Sequence, residues 1–158
     1  MSSPIIDFSE FDYDRVVADR EQILDINPHR HELALLDGIL LLEEKRIVGY
    51  YDVPKDVYWA KGHFPGRPLM PGVLITEVAA QCTSYLGTTS GIRGDAVIGL
   101  AGLDEVRFRA PVKPGDRLTV MAVEKKSRKG VLIVTQYQAY VGQTLVSEGG
   151  IKGVAIKE

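Results

Sequence analysis

The sequence predicts an α+β domain in which one mostly buried helix lies against a long antiparallel sheet of about six strands. Three observations carry this. Leu74, Ile75, Val78, Ala79, Cys82, Tyr85 and Leu86 fall on one face at the period of an amphipathic helix. Residues 96–109, 116–126, 130–141 and 144–156 read as strands, parted by the turn signals APVKPGD, KSRKG and VGQ. The 158 residues contain no repeat or linker, and that length suits one domain with a proper core.

The elements follow in order. Residues 1–18 read as an acidic extension to which the sequence assigns no role, and 19–158 as the domain itself. DREQILDI (19–26) predicts a short helix stopped by Pro28. ELALLDGILLLEEKRIVGYYDVP (32–54) reads as two strands around a charged turn at Glu43–Arg46, although its leucine-rich part also suits a helix. Between Gly62 and Gly72 the chain is rich in proline and glycine. The main helix then starts at Pro71, whose missing N–H would have no intrahelical partner there, and Gly87 is the predicted stop. Glu77, Gln81 and Ser84 share a helical face distinct from the apolar one.

Composition narrows the function. A hydrophobic fraction of 45% with 25% charged residues is that of an ordinary soluble globular protein. There is no apolar run long enough for a transmembrane helix, and the acidic start does not resemble an export signal. The single cysteine, Cys82, forms no internal disulfide, which fits a reducing cytoplasm. Net charge is −2, yet residues 104–129 hold eight basic and four acidic side chains. Such a segment either docks an acidic macromolecule or is a solvated strand edge; the overall balance and the lack of a basic–aromatic motif exclude nucleic acid.

The chemistry concentrates in GHFPGRPLMPGVLITEVAAQ, residues 62–81. Pro65, Pro68 and Pro71 each fix a φ angle and restrain the preceding residue, so the loop can hold His63 in one place. The loop ends at a helix N-terminus, where free N–H groups favour negative charge. An imidazole near neutral pKa can take a proton beside a carbonyl. The N–H groups of Gly72 and Val73 can stabilise the resulting oxyanion, and Glu77 can handle a second proton. Elimination of water from a 3-hydroxyacyl thioester needs this set. The ordinary alternative is a histidine that caps a turn and a glutamate on a solvated face.

The same segment resembles the active-site region of the (3R)-hydroxyacyl-[acyl-carrier-protein] dehydratases of bacterial type II fatty acid synthesis. ILDINPHRHELALLDGIL resembles their N-terminal helix and first strand, and LAGLDEVRFRAPVKPGD the segment after the central helix; together the resemblance spans roughly residues 22–148. It implies the hot-dog fold, a long antiparallel sheet curled around a central helix. It also implies dimers, commonly assembled into hexamers as trimers of dimers, with the site at the dimer interface. By the resemblance, His63 is the catalytic histidine, Glu77 the catalytic glutamate supplied by the neighbouring subunit, and Gly72 the amide that polarises the thioester carbonyl. Glutamate rather than aspartate at 77 points to the branch that dehydrates without isomerising. Phe64, beside the histidine, and Gln81, one turn beyond Glu77, complete the substrate-binding candidates. The implied partner is acidic acyl carrier protein, with Arg107, Arg109 and Lys113 as candidate docking residues.

Other chemistries have less support. His29 and His31 form an H-x-H pair that could bind zinc with His63, but Arg30 intervenes and no second ligand cluster exists; in the resemblance NPHR is a structural turn. Cys82 lies on the apolar helical face, where a thiol is usually inert. No metal and no cofactor are implied. A hot-dog thioesterase would lack the HFPG histidine, and a non-catalytic acyl-binding protein would have no need of both His63 and Glu77. The sequence departs from the resemblance at His31-Glu32, in place of an aromatic–proline pair, and in the glycine-rich SEGGIKGVAIK, so acyl chain length is left open.

Overall fold

A computed structural model describes residues 3–157. Chain order is β1 (Ala18–Asp19), α1 (Arg20–Ile26), β2 (Gly38–Leu42), β3 (Arg46–Asp52), α2 (Gly72–Thr89), β4 (Val97–Phe108), β5 (Arg117–Arg128), β6 (Leu132–Val141) and β7 (Thr144–Ile156), with short 3-10 turns at Phe8–Glu10 and His31–Leu33. The strands form one sheet in the order β1-β2-β3-β5-β6-β7-β4, and every pairing is antiparallel. The predicted six strands are β2 to β7; the seventh is the two-residue β1. Residues 32–42, ambiguous in sequence, become a 3-10 turn followed by a strand. Among the described residues no helix is long and apolar enough to cross a membrane.

The sheet wraps α2, which contacts β3, β4, β5, β6 and β7. Ile75, Val78, Ala79, Cys82, Tyr85 and Leu86 of α2 are buried against Ile39, Ile47, Leu118, Val120, Ile133 and Tyr137 of the strands. Each buried Ile, Val or Leu among these contributes roughly 1.5–3 kcal/mol relative to exposure. The polar face of α2 is also buried: Thr83 hydroxyl meets that of Thr135 at 2.7 Å, and Gln81 bonds to the chain between α1 and β2. Pro71 acts as N-cap rather than first helical residue, its carbonyl accepting from the Leu74 N–H. The predicted stop at Gly87 is corrected. The helix continues to Thr89, and Gly91, at φ +81°, takes the left-handed position that follows a helix end. Gly87 is instead a packing glycine, since a Cβ there would stand 2.6 Å from Ile98 Cδ1. At the β6–β7 hairpin, Val141 pairs Thr144 across a two-residue turn whose Gly142 has φ +59°.

Strand alternation also sends side chains to the outer face of the sheet. Leu40, Val48, Tyr50, Met121 and Tyr140 point away from α2 and are buried there by Ile6 and Phe11 of the first residues. Phe8 packs edge-on against Tyr140 at 5.0 Å. The Ile5 N–H donates to Gln138 Oε1 (2.8 Å), Gln138 Nε2 donates to the Ser3 carbonyl (3.2 Å), and Arg46 pairs with Glu10 at 2.7 Å. The acidic first segment thus clasps a second apolar layer.

Candidate active site

His63 lies between β3 and α2 in a segment that bonds largely to itself. Its N–H donates to the Trp59 carbonyl (3.0 Å), Phe64 and Arg67 exchange N–H···O bonds (3.0 and 2.8 Å), and the Leu69 N–H returns to the His63 carbonyl (2.8 Å). Buried Trp59 and Met70 root the loop in the core, and the Met70 N–H donates to the Val112 carbonyl (2.8 Å). His63 Nδ1 stands 2.7 Å from the Leu69 carbonyl oxygen. A carbonyl only accepts, so the neutral ring keeps its proton on Nδ1 and leaves a lone pair on Nε2. That is the tautomer a general base requires. The Phe64 ring stacks on the imidazole at 4.0 Å and stays 49% exposed, an apolar wall beside it.

Three residues past Leu69, α2 begins. The Gly72 and Val73 N–H groups belong to its first turn and have no intrahelical acceptor. Gly72 is closely approached: a Cβ there would lie 3.0 Å from the Phe108 ring. Val73 is 73% exposed.

Glu77 stands one turn further along, partly buried. Its Oε1 accepts from Gln81 Nε2 at 2.8 Å, and His29 Nε2 lies 3.4 Å from the same oxygen. Gln81, 1% exposed, also donates to the Leu33 carbonyl (2.6 Å) and accepts from the Leu35 N–H (3.0 Å). Burial pushes the His29 imidazole below its usual pKa; the Glu77 carboxylate works against this and Arg30 adds to it. Glu77 and His29 face a cleft of about 160 Å³, walled by Ala80, Thr83 and Ser84 of α2 and by Ile98, Gly99, Leu100, Ile151 and Gly153 of β4 and β7.

Within one chain the two halves do not meet. Among the described residues no hydrogen bond or ion pair joins His63 to Glu77, and His63 does not line the Glu77 cleft. Near Gly72 runs β4, an edge strand that among the described residues pairs only with β7, and its Leu100, Leu103 and Phe108 are half-exposed.

The remaining candidates separate. His31 turns away into another depression, lined also by Arg20, Asp37 and Tyr51, so the H-x-H pair does not converge. Among the described residues no group of three His, Cys, Asp or Glu side chains could hold a metal ion. Cys82 is fully buried, and its thiol is pushed up to about 12 by burial. Arg109 is engaged by Glu148 at 2.6 Å, Arg107 donates to the neighbouring Val106 carbonyl (3.1 Å), and exposed Lys113 forms no ion pair among the described residues. Sequence reasoning missed the contact of His29 with Glu77. The H-x-H spacing drew attention to the residue, but nothing local says which helix it faces.

A FabA-like domain model matches residues 27–150. The chain is 40% identical over 132 residues to a 3-hydroxyacyl-[acyl-carrier-protein] dehydratase FabZ of Syntrophobacter fumaroxidans, covering 82% of this chain and 88% of that protein. It is 42% identical over 138 residues to the FabZ of Syntrophotalea carbinolica, covering 84% and 93%. Among solved structures it resembles the dehydratase heterocomplex ApeI:P of Xenorhabdus doucetiae (TM-score 0.72, 15% identity, 86% of this chain and 91% of that one). A thioesterase of Haemophilus influenzae shares the fold (TM-score 0.58, 15% identity, 76% and 78%).

Proposed function

Because the chain belongs to the FabA-like family, beside the FabZ-named 3-hydroxyacyl-[acyl-carrier-protein] dehydratases, we propose that it eliminates water from (3R)-hydroxyacyl-[acyl-carrier-protein] to give the trans-2-enoyl product, with His63 and Glu77 as its acid–base pair. The observation that carries the roles is the His63 imidazole, held by the Leu69 carbonyl with Nε2 unprotonated. Nε2 takes the proton from C2, and the N–H groups of Gly72 and Val73 hold the thioester oxygen as charge gathers there. The C2–H electrons form the C2=C3 bond, the C3–O bond breaks, and Glu77 protonates the departing hydroxyl as water. The proton left on His63 returns to Glu77 through solvent, which closes the cycle.

The site is completed by a second copy of the chain. Separation of His63 from Glu77 within one chain, and the half-exposed apolar side chains of edge strand β4 beside Gly72, support a homodimer in which each His63 faces the partner's Glu77. The reaction belongs to the cytoplasm, on acyl chains delivered by acyl carrier protein. Lys113 and Arg107 are its better docking candidates, since Arg109 is already paired. We read residues 19–158 as the hot-dog domain and the preceding segment as its outer clasp.

The test follows the ultraviolet absorbance of a crotonoyl thioester during hydration by wild type, His63→Ala and Glu77→Gln. Positioned acid–base groups contribute about 10²–10⁴-fold each, so either substitution should lower the rate by that order in a folded protein. A His63→Ala variant that keeps most of the rate overturns the assignment. Release of free thiol by wild type from a 3-hydroxyacyl thioester, without an enoyl product, identifies a thioester hydrolase instead.

A further inference from the structure

His29 is built toward Glu77 by a turn with few other duties. Asn27 Nδ2 donates to the Gln81 carbonyl (3.1 Å) and pins the turn to α2. The Arg30 guanidinium gathers the carbonyls of Leu24 (2.9 Å), Asn27 (2.9 Å) and His29 itself (2.7 Å). The imidazole is thereby turned into the cleft, with Nε2 3.4 Å from Glu77 Oε1 and Nδ1 buried without a partner. A cationic ring would bury a second N–H with no acceptor, whereas the neutral ring with its proton on Nε2 leaves only an unfilled lone pair. The 3.4 Å separation exceeds the usual N–H···O distance of about 2.9 Å, as catalytic contacts commonly do until substrate tightens them.

Oε1 then accepts a hydrogen bond from Gln81 Nε2 and has His29 Nε2 3.4 Å away as a second N–H, while Oε2 accepts no hydrogen bond among the described residues. An oxygen that accepts one hydrogen bond and faces a second N–H is the less favourable seat for a proton. We propose that His29 is a positioning residue for Glu77: with Gln81 it occupies Oε1, so the acid proton resides on Oε2 and is delivered from there to the leaving hydroxyl. The assignment rests on the dehydratase reading and adds a residue to it. Among the described residues β4 and β7 contribute only Ile98, Gly99, Leu100, Ile151 and Gly153 to the cleft, and Arg30, in the His29 turn, is the other charge that acts on the pair.

The experiment measures kcat and KM for crotonoyl-coenzyme A hydration with His29→Leu, His29→Gln and His29→Asn, in the wild-type and Glu77→Gln backgrounds. Glutamine can place an N–H where Nε2 was; asparagine places one nearer Nδ1. In the wild-type background His29→Leu and His29→Asn should lower kcat about 10–100-fold, with KM kept within about twofold, and His29→Gln should recover most of the rate. In the Glu77→Gln background none of the three should cost more. Unchanged kcat in His29→Leu, equal losses in both backgrounds, or equal activity of the Gln and Asn variants overturns the proposal; the last comparison serves even if His29→Leu fails to fold. Wild type that does not hydrate the substrate defeats the dehydratase reading, and the role of His29 falls with it. Active wild type with an indifferent His29 defeats the role alone.

Discussion

Replacing Gln81 by leucine tests how the Glu77 half of the site is held. The side chain is 1% exposed, and its amide joins three elements: Nε2 donates to Leu33 and Glu77, and Oε1 accepts from Leu35. Leucine keeps most of the volume, so the cost is chiefly polar. The Leu35 N–H, in a residue only 4% exposed, is left without an acceptor, at about 1–3 kcal/mol. The Leu33 carbonyl belongs to a half-exposed residue and can turn to water, so its loss is nearer 0.5–1.5 kcal/mol, the net value of about one hydrogen bond. The sum, about 1.5–4.5 kcal/mol, corresponds to a fall in Tm of roughly 3–18 °C for a chain of this size. Glu77 also loses its best donor, so kcat for enoyl hydration should drop while the thioester contacts proposed at Gly72, and with them KM, change little. Thermal melts followed by circular dichroism and steady-state kinetics on the same preparation measure both. A Gln81→Leu protein that melts within a degree of wild type, with kcat intact, refutes the reasoning.

Other expectations concern separate parts of the molecule. Desolvation lowers the His29 pKa in the fold, so the unfolded chain binds the extra proton first; the stability present above about pH 6.5 should be lost as pH falls through the depressed folded value. Partly buried Asp37, whose pKa is raised by burial, acts in the opposite sense above its ordinary range, so the His29 contribution is read as the difference in Tm between wild type and His29→Leu across pH 5–7. That difference should narrow toward acid pH, and a constant gap contradicts it. Ile6→Ala, at a residue 1% exposed in the outer layer, should cost about 2–5 kcal/mol in chemical denaturation without altering kcat; a cost below 0.5 kcal/mol means the clasp does not hold. Gly153→Ala would put its Cβ 2.6 Å from Ile98 Cγ2 on the cleft wall, so overpacking of about 1–3 kcal/mol is expected, together with poorer turnover of long acyl chains relative to crotonoyl. Unchanged melting and chain-length preference would show that the wall yields.

Much of this protein is written in local pattern. The period of Leu74 to Leu86 specifies a helix because a face turning every 3.6 residues can be buried only as one, and the strand limits from 96 to 156 follow from turn residues that few other conformations accept. The proline-rich loop before α2 marked His63 for the same reason, since its stiffness is a property of adjacent residues. The contact of His29 with Glu77, the anchoring of Gln81 to Leu33 across 48 positions, the pairing of Arg109 with Glu148, and the clasp of Ile6 on Met121 and Tyr140 are different in kind. Gly87, in sequence as good a helix stop as Gly91, is retained inside α2 because Ile98 arrives from β4 to fill its space. Periodicity states which face of an element is buried but not what buries it. That choice is made by contacts between distant segments whose partners are apolar or polar alike in sequence, and it is settled only when the sheet closes around α2 and gives each side chain a neighbour.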